Sequence, residues 1–500
     1  MRRFLCIVVV AVLCAPFATA SKKASHSKHH SKTSTTLPVT TTSARASELY
    51  EHGMVNYETL HIDRATADWR QATKADPNFA LGYAFVAFST TDPAEAKAAR
   101  ASAKALMANV TPGEKLVIRW ITGVQENDFL SGITAMNDAL AMFPKDKRLF
   151  YLASNWLFNE NDDEQVAKMC ERALAIDKDY AAALNNLAYA HARVGDFPPA
   201  FEAMEHYIKV LPNEPNPQDS YAEILRMSGN NEGALEHYRA SLKIDPTFYL
   251  SRMGLGDTYA LMGDQEQARK EYAQAIKDDP DTGDRLLYGF QSAQTWVREG
   301  KLDEADKAFI ALADNAHSLG FDLFSARAYR SMAMYQPDNA IALSHLEKAE
   351  AALAHQEISQ TDRAEERSRI LRLRVVRATQ AGQKKLAGKA LHELETMAAN
   401  SRSLSIQQSY HAAEGFTLLE KKNYKEAIAH LQEDNSDPFS LRRLAEAYQQ
   451  SGDVDDLHAT ESKLGALNVP ILEQALVVVP FRAAKQDGQN GPLKEVKLPK

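Results

Sequence analysis

The 500-residue sequence contains little cysteine, no long apolar run and no excess of basic charge. Two of its three cysteines lie within the first 14 residues, so Cys170 is alone in the rest of the chain and a disulfide-stapled fold is excluded. Six of the 58 basic residues precede residue 33, and none of the 66 acidic residues does, so the remainder of the chain is strongly acidic. Nucleic-acid binding is therefore not expected, because phosphate contacts require a basic surface.

Recognisable catalytic and cofactor motifs are also missing. The sequence has no His-Glu-x-x-His metal motif, no nucleophile elbow and no P-loop. Gly254-Leu255-Gly256 resembles part of a nucleotide loop, but it falls inside a predicted helix with no strand before it. Cys170 lies at a core position of the repeat described below, so we expect an inert buried thiol rather than a nucleophile. We therefore expect no catalytic residue, no cofactor and no metal site, and an enzyme would need an unrecognised site between irregular repeats.

The N-terminus has the features of an export signal. Arg2 and Arg3 precede an apolar run over 4–15, and the small-x-small pattern at 18–20 suits a signal peptidase. The apolar run is shorter than the ~20 residues of a membrane span, which favours cleavage over an uncleaved anchor. We predict a signal peptide over 1–20, cleaved near Ala20, and a periplasmic or extracellular protein.

Residues 21–43 are rich in Ser, Thr, Lys and His and contain almost no large apolar side chain. Such a segment cannot bury a core, so we predict a disordered linker. Its lysines offer a weak contact to an anionic envelope surface. His26, His29 and His30 offer a loose metal site, but a solvated linker is favoured because no cysteine or carboxylate accompanies them.

Proline positions reveal an internal repeat. Pro212, Pro246 and Pro280 are 34 residues apart, and the gapless segments 181–214, 215–248 and 249–282 share small residues, glycines and large apolar residues at the same positions. The eighth position holds the small residues Ala188, Ala222 and Gly256, and the fifteenth holds Gly195, Gly229 and Gly263. The twentieth holds Ala200, Ala234 and Ala268, and the twenty-fourth holds the large residues Met204, Tyr238 and Tyr272.

This spacing predicts two helices in each segment. The apolar residues recur at helical intervals, the glycine ends the first helix in a left-handed conformation, and the proline ends the second. Beyond residue 320 the period lengthens, and helical stripes are predicted at 321–335, 340–355, 361–381, 384–399 and 404–421.

The pattern Leu187-Ala188-x-x-His191, followed by Ala200, Met204 and Pro212, resembles the tetratricopeptide repeat family. The resemblance implies an all-α, right-handed solenoid of about twelve helix-turn-helix repeats. These are expected to be regular over 46–319 and longer over 320–467, with a C-terminal segment and polar tail over 468–500. Within that last part, 471–481 is expected to pack on the end of the stack.

The resemblance also implies a binding surface, because ligands in this family contact the first helices on the concave side. The residues at the corresponding positions are Tyr151, Asn155, Asn159, Asn185, Asn186, Tyr189, Arg193, Asp219, Glu223, Arg226, Met253 and Asp257. Asparagine can both donate to and accept from a peptide backbone, and tyrosine adds contact area.

Six arginines lie between residues 363 and 377. They offer a basic patch for an anionic partner, although a solvated helix face is favoured. The sequence as a whole predicts a scaffold that binds a protein or extended peptide in its concave groove. The alternative is an envelope-assembly or polysaccharide-associated factor tethered by its basic linker.

Overall fold

Twelve consecutive helix pairs make up almost all of the described chain. The structure is a computed structural model that describes residues 35–160, 162–355 and 357–486. Over these ranges the regular secondary structure is helical, without β-strands, and it confirms the predicted all-α repeat solenoid. None of the described helices is both long enough and apolar enough to span a membrane. The predicted signal peptide and residues 21–34 of the predicted linker lie outside the described ranges.

The first six pairs are α1 (Ala44–Glu58) with α2 (Ile62–Ala75), α3 (Ala80–Ser89) with α4 (Pro93–Leu106), α5 (Pro112–Gln125) with α6 (Phe129–Met142), α7 (Lys147–Asn159) with α8 (Asp163–Ile176), α9 (Ala181–Arg193) with α10 (Phe197–Val210), and α11 (Pro215–Met227) with α12 (Asn231–Ile244). The next six are α13 (Tyr249–Met262) with α14 (Gln265–Asp278), α15 (Thr282–Arg298) with α16 (Leu302–Ser318), α17 (Asp322–Tyr335) with α18 (Asn339–Ala352), α19 (Gln360–Gln380) with α20 (Lys384–Ala399), α21 (Leu404–Glu420) with α22 (Tyr424–Leu431), and α23 (Pro438–Ser451) with α24 (Val454–Ala466). A π-helical turn, Gln474–Val478, leads into α25 (Val479–Gln486).

In nine of the twelve pairs, the described residues of the turn include one in the left-handed conformation. Gly195 and Gly263 have φ of +82° and +93°, and no atom lies within 4 Å of a Cβ built on either one. Backbone conformation rather than lack of space therefore calls for glycine. Leu60, Asn127 and Lys422 adopt positive φ at the same turn of pairs that lack the glycine.

The small residues of the repeat allow the helices to approach closely. A Cβ on Gly256 would lie 2.5 Å from Cε1 of Tyr272, which occupies the twenty-fourth position of the same repeat. Gly254 packs in the same way against Tyr238 of the preceding repeat. Both glycines lie inside α13, so the resemblance to a nucleotide loop has no structural basis.

The sequence predicted that the C-terminal segment packs on the end of the stack; it contacts the twelfth pair there and also reaches the eighth and ninth pairs. Its apolar side chains join one core with helices of the eighth, ninth and twelfth pairs; this core includes Leu472, Leu476, Val478 and Phe481 from the segment and Leu286, Phe309, Met332, Leu441 and Leu464 from the pairs. Arg298 of α15 donates to the carbonyl of Ile471 at 3.0 Å and to Oε1 of Gln474 at 2.6 Å. Burial of these apolar side chains between distant repeats holds the segment in place.

Repeats far apart in the sequence also contact one another. Nη2 of Arg64 lies 2.7 Å from Oδ2 of Asp245. The amide of Asn127 donates to Oγ1 of Thr361 at 2.8 Å, and the amide of Leu404 donates to Glu160 at 3.1 Å. We call these pairings the cross-coil contacts; they join the early repeats to repeats that follow much later.

The structure revises the end of the predicted linker. The amide of Leu37 donates to Asp146 at 2.8 Å, and the hydroxyl of Thr41 donates to Asp76 at 2.6 Å. The amide of Thr40 donates to Oε1 of the fully buried Glu114 at 2.6 Å. Residues 37–41 are therefore bonded to the early repeats, because carboxylates near the helix ends accept from their backbone and hydroxyl groups.

Candidate partner-binding groove

The twelve residues predicted to line a concave surface lie on α7, α9, α11 and α13. Seven of them are buried: Tyr151, Asn185, Asn186, Tyr189, Asp219, Arg226 and Asp257. The remaining five are partly or fully exposed: Asn155, Asn159, Arg193, Glu223 and Met253. The structure therefore brings these residues together on neighbouring first helices, but it does not offer most of them to a partner.

The asparagine and tyrosine side chains bond within the protein. The Asn186 amide donates to the Ser154 hydroxyl at 3.1 Å, and Asn155 donates to the Tyr57 hydroxyl. The Tyr189 hydroxyl donates to Glu223 at 2.8 Å. These bonds connect first helices to one another and use most of the donors and acceptors expected to hold a peptide, although the buried Oδ1 of Asn185 has no hydrogen-bond partner among the described residues.

The charged members of the set form a buried network. Arg226 lies 3.2 Å from Asp257 and 2.8 Å from Glu223, and the Tyr272 hydroxyl donates to Asp257 at 2.6 Å. Burial raises the pKa of Asp257 to about 6, although Arg226 opposes the rise. Asp257 is therefore ionised at neutral pH and forms an internal ion pair.

Contacts from the first repeat explain this burial. The Tyr180 hydroxyl donates to Glu58 at 2.9 Å, and Arg148 also lies 2.8 Å from Glu58. The His61 ring packs edge-on against Phe248, with 5.6 Å between ring centroids. The end of α1 and the start of α2 thus cover the inner side of the following repeats, which the repeat pattern alone could not indicate.

A large open cavity lies in the C-terminal half instead. It has a volume of about 1650 Å³, and its walls come mainly from α17, α19, α21 and α23, the first helices of four consecutive pairs. The turn before α16 and the C-terminal segment complete it. We call it the C-terminal groove; its lining includes Arg330, Arg369, Arg372, Leu373, Val376, Arg377, Gln380, Gln408, Phe416, Asp434, Asp437, Phe439, Arg442, Arg443, Ile471, Glu473 and Leu476. The described residues that line it include no histidine or cysteine.

A buried carboxylate holds the floor of the groove together. Glu366 is fully buried, and Arg330 donates to it at 2.5 Å. Arg327 and Arg369 lie 3.8 Å and 3.7 Å from its second oxygen. Burial alone would raise the pKa of Glu366, but the three guanidinium groups together lower it. The carboxylate is therefore ionised and fixes α17 against α19.

Two further arginines of α19 join the walls. Arg372 lies 3.1 Å from Asp434 and 2.7 Å from Asp437 at the start of α23. Arg377 donates to the carbonyls of Ala333 and Met334 at 3.0 Å and 2.7 Å, where α17 ends. Such guanidinium contacts satisfy carbonyls that a helix end leaves unpaired.

The six arginines noted in the sequence therefore form neither a free basic patch nor a solvated face. Arg363 donates to backbone carbonyls after α18, and Arg367 and Arg374 pair with Glu350. The sequence indicated these residues but not their role, because most of their acceptors lie outside α19. The groove also contains carboxylates such as Glu473, whose pKa is raised by burial and by Asp437. Its charge is consequently mixed rather than basic.

Two glutamine side chains without hydrogen-bond partners among the described residues also line the groove. Gln408 of α21 and Gln380 at the end of α19 line it, and within the described residues neither side chain has a hydrogen-bond partner. The apolar side chains of Leu373, Val376 and Phe439 line the same groove. Free amides beside apolar surface can bind a peptide backbone and its side chains together.

One family model and several solved structures match this chain. The tetratricopeptide repeat family model matches residues 225–293, which run from the end of α11 into α15. The solved APC/C hetero-tetramer Cut9–Hcn1 is similar over 83% of this chain and 76% of that one, with 14% identity and a TM-score of 0.39. A tetratricopeptide repeat protein of Parabacteroides merdae matches over 61% and 98%, with 13% identity and a TM-score of 0.36. A thermophilic repeat protein of Thermus thermophilus matches over 42% and 100%, with 19% identity and a TM-score of 0.31.

Proposed function

We propose that this all-α repeat protein, whose middle repeats match the tetratricopeptide family, is a non-catalytic scaffold that binds a segment of a partner protein in the C-terminal groove. The observation that carries the proposal is the size and position of that groove. Its volume of about 1650 Å³ exceeds the roughly 300–1,000 Å³ of small-molecule pockets, so an extended polypeptide is the better fit.

The lining supports the same ligand class. Leu373, Val376 and Phe439 provide apolar contact, while Gln380 and Gln408 provide donors and acceptors without internal partners. Ion pairs such as Arg330–Glu366 hold the walls, which limits the ordering required on binding. The mixed charge favours a partner segment that carries apolar and polar side chains over a polyanion.

Site-specific photocrosslinking tests the location of the groove. A photoreactive residue in place of Gln408 is expected to capture the partner in cells that make the full-length protein. The same residue in place of the exposed Lys389 on α20 serves as the matched control, because α20 is not part of the groove. Equal capture from the two positions, or none from Gln408, would overturn the assignment.

Binding of the captured partner then tests the amides directly. Gln380→Ala with Gln408→Ala is expected to weaken binding by about fivefold to tenfold or more, since each lost hydrogen bond contributes about 0.5–1.5 kcal/mol. Lys389→Ala and Asn159→Ala are expected to leave the affinity unchanged. If Asn159→Ala alone weakened binding of the partner, the binding site would lie in the N-terminal repeats instead.

We also propose that the protein is exported. The basic start, the apolar run over 4–15 and the small residues at 18–20 support this location. N-terminal sequencing of the protein from its native source is expected to begin at Ser21. A mature chain that retains residues 1–20 would contradict cleavage.

A further inference from the structure

A cluster of two histidines and one aspartate lies at the junction of the eighth, ninth and tenth helix pairs. Nδ1 of His317 is 2.6 Å from Oδ1 of Asp322, and Nδ1 of His355 is 3.5 Å from Oδ2 of the same carboxylate. One ligand atom from each residue lies within 4.8 Å of the others. The cluster is separate from the C-terminal groove, and nothing in the proposed function depends on it.

The helix ends and the turn between them bring the three residues close together. His317 is in the last turn of α16, Gly320 turns the chain with φ of +81°, and Asp322 is the first residue of α17. His355 lies just beyond α18, where the guanidinium of Arg363 donates to the His355 carbonyl at 2.7 Å. That bond fixes the backbone that carries the second imidazole.

The burial of the three groups suits an open metal site. The Asp322 side chain is only 6% exposed, whereas those of His317 and His355 are 59% and 47% exposed. The carboxylate is therefore held in place, while the imidazole edges leave room for water on the solvent side. Two neutral imidazoles, one carboxylate and water form a coordination set typical of Zn²⁺.

We propose that His317, Asp322 and His355 bind one divalent transition-metal ion, with Zn²⁺ as the best-matched ion. The bound ion replaces the His317–Asp322 hydrogen bond and recruits His355 to the same carboxylate. It ties the end of α16 and the start of α17 to the connection between α18 and α19. Both imidazoles bind the ion in their neutral form.

Titration of the full chain with Zn²⁺ alone, followed by calorimetry, tests the proposal. The wild-type protein is expected to bind one equivalent of Zn²⁺. The double variant His317→Ala with His355→Ala is expected to bind Zn²⁺ at this site at least about tenfold more weakly, so that the equivalent is lost at the concentrations used. These histidines are exposed, so the double variant is expected to fold, and circular dichroism checks this. Asp322→Asn keeps the size of the side chain and is expected to weaken binding as well.

Two histidine controls separate this site from other imidazoles. His26→Ala with His29→Ala and His30→Ala removes the N-terminal histidines, and His392→Ala removes one whose side chain is 81% exposed beside Glu395. Both control proteins are expected to retain the equivalent that the double variant loses. Co²⁺ provides a second readout, since its visible spectrum reports nitrogen ligation directly. Unchanged Zn²⁺ binding and an unchanged Co²⁺ spectrum in the double variant would show that the cluster is only a hydrogen-bonded pair beside a histidine.

Discussion

Removal of Asp257 tests whether the N-terminal first helices form a closed interior or an open binding surface. The Asp257→Ala substitution takes away the carboxylate that pairs with Arg226 and accepts from Tyr272. In an open groove the change would affect only a solvated side chain. In the structure the side chains of Arg226 and Asp257 are 3% and 4% exposed, so it leaves a buried charge with less compensation.

The expected loss follows from these contacts. Breaking a buried ion pair from one side costs about 3–5 kcal/mol, and a buried hydroxyl without an acceptor costs about 1–3 kcal/mol. Glu223 stays 2.8 Å from Arg226 and is 38% exposed, so it offsets part of the first cost. We therefore expect the free energy of unfolding of the surrounding helices to fall by about 3–4 kcal/mol.

Native-state hydrogen exchange of peptides from 215–278, measured across a urea series, reports this local stability. The double substitution Arg226→Met with Asp257→Leu removes both charges and is expected to recover much of the loss. Glu266→Ala, in the exposed pair with Lys270, is the matched control and should change nothing measurable. A loss below about 1 kcal/mol for Asp257→Ala, or a double variant that is equally unstable, would refute the buried network.

Three further substitutions and one labelling experiment extend the test. Burial raises the pKa of Glu160 to about 7 from an ordinary 4.5, so its contribution to stability is present below about pH 4.5 and is lost as the pH rises through 7. Glu160→Gln is therefore expected to raise the urea midpoint at pH 8 and leave it unchanged at pH 4.5. Gly256→Ala forces a Cβ against Tyr272 and should destabilise by about 1–3 kcal/mol, whereas Gly388→Ala, on the open face of α20, should stabilise by about 0.5–1 kcal/mol; thermal melts of both variants decide the signs. Burial raises the pKa of the Cys170 thiol to about 12, so mass spectrometry should find its peptide alkylated only after unfolding, and rapid labelling of the native protein would contradict the predicted inert thiol.

The helices were predictable because local chemistry defines them. The interval between Pro212 and Pro246 gave the repeat, and Gly195 and Gly263 marked turns that the structure confirms with positive φ. The predicted stripe at 404–421 coincides with α21 to within one residue. Helix periodicity and glycine turns act over a few residues, so a single sequence reveals them.

The accessible surface was not predictable in the same way. Tyr151 and Asn186 lie at positions where the resemblance predicted a binding surface, but their burial depends on α1 and on neighbouring helices far along the sequence. The Arg330–Glu366 pair joins residues on different repeats, and no spacing rule connects them. The same reason hid His355, which meets Asp322 only after the ninth pair has folded.

The cross-coil contacts change what kind of repeat protein this is. In an ordinary solenoid each unit meets only its neighbours, so stability adds up unit by unit and repeats can be lost from an end at modest cost. Here Asn127 with Thr361, and Glu160 with Leu404, close loops of more than two hundred residues. Such long-range closure slows folding, because the entropy of the intervening chain is lost before the contact forms. The number of repeats between the partners is thereby fixed, since inserting or deleting one pair would move every later partner out of register.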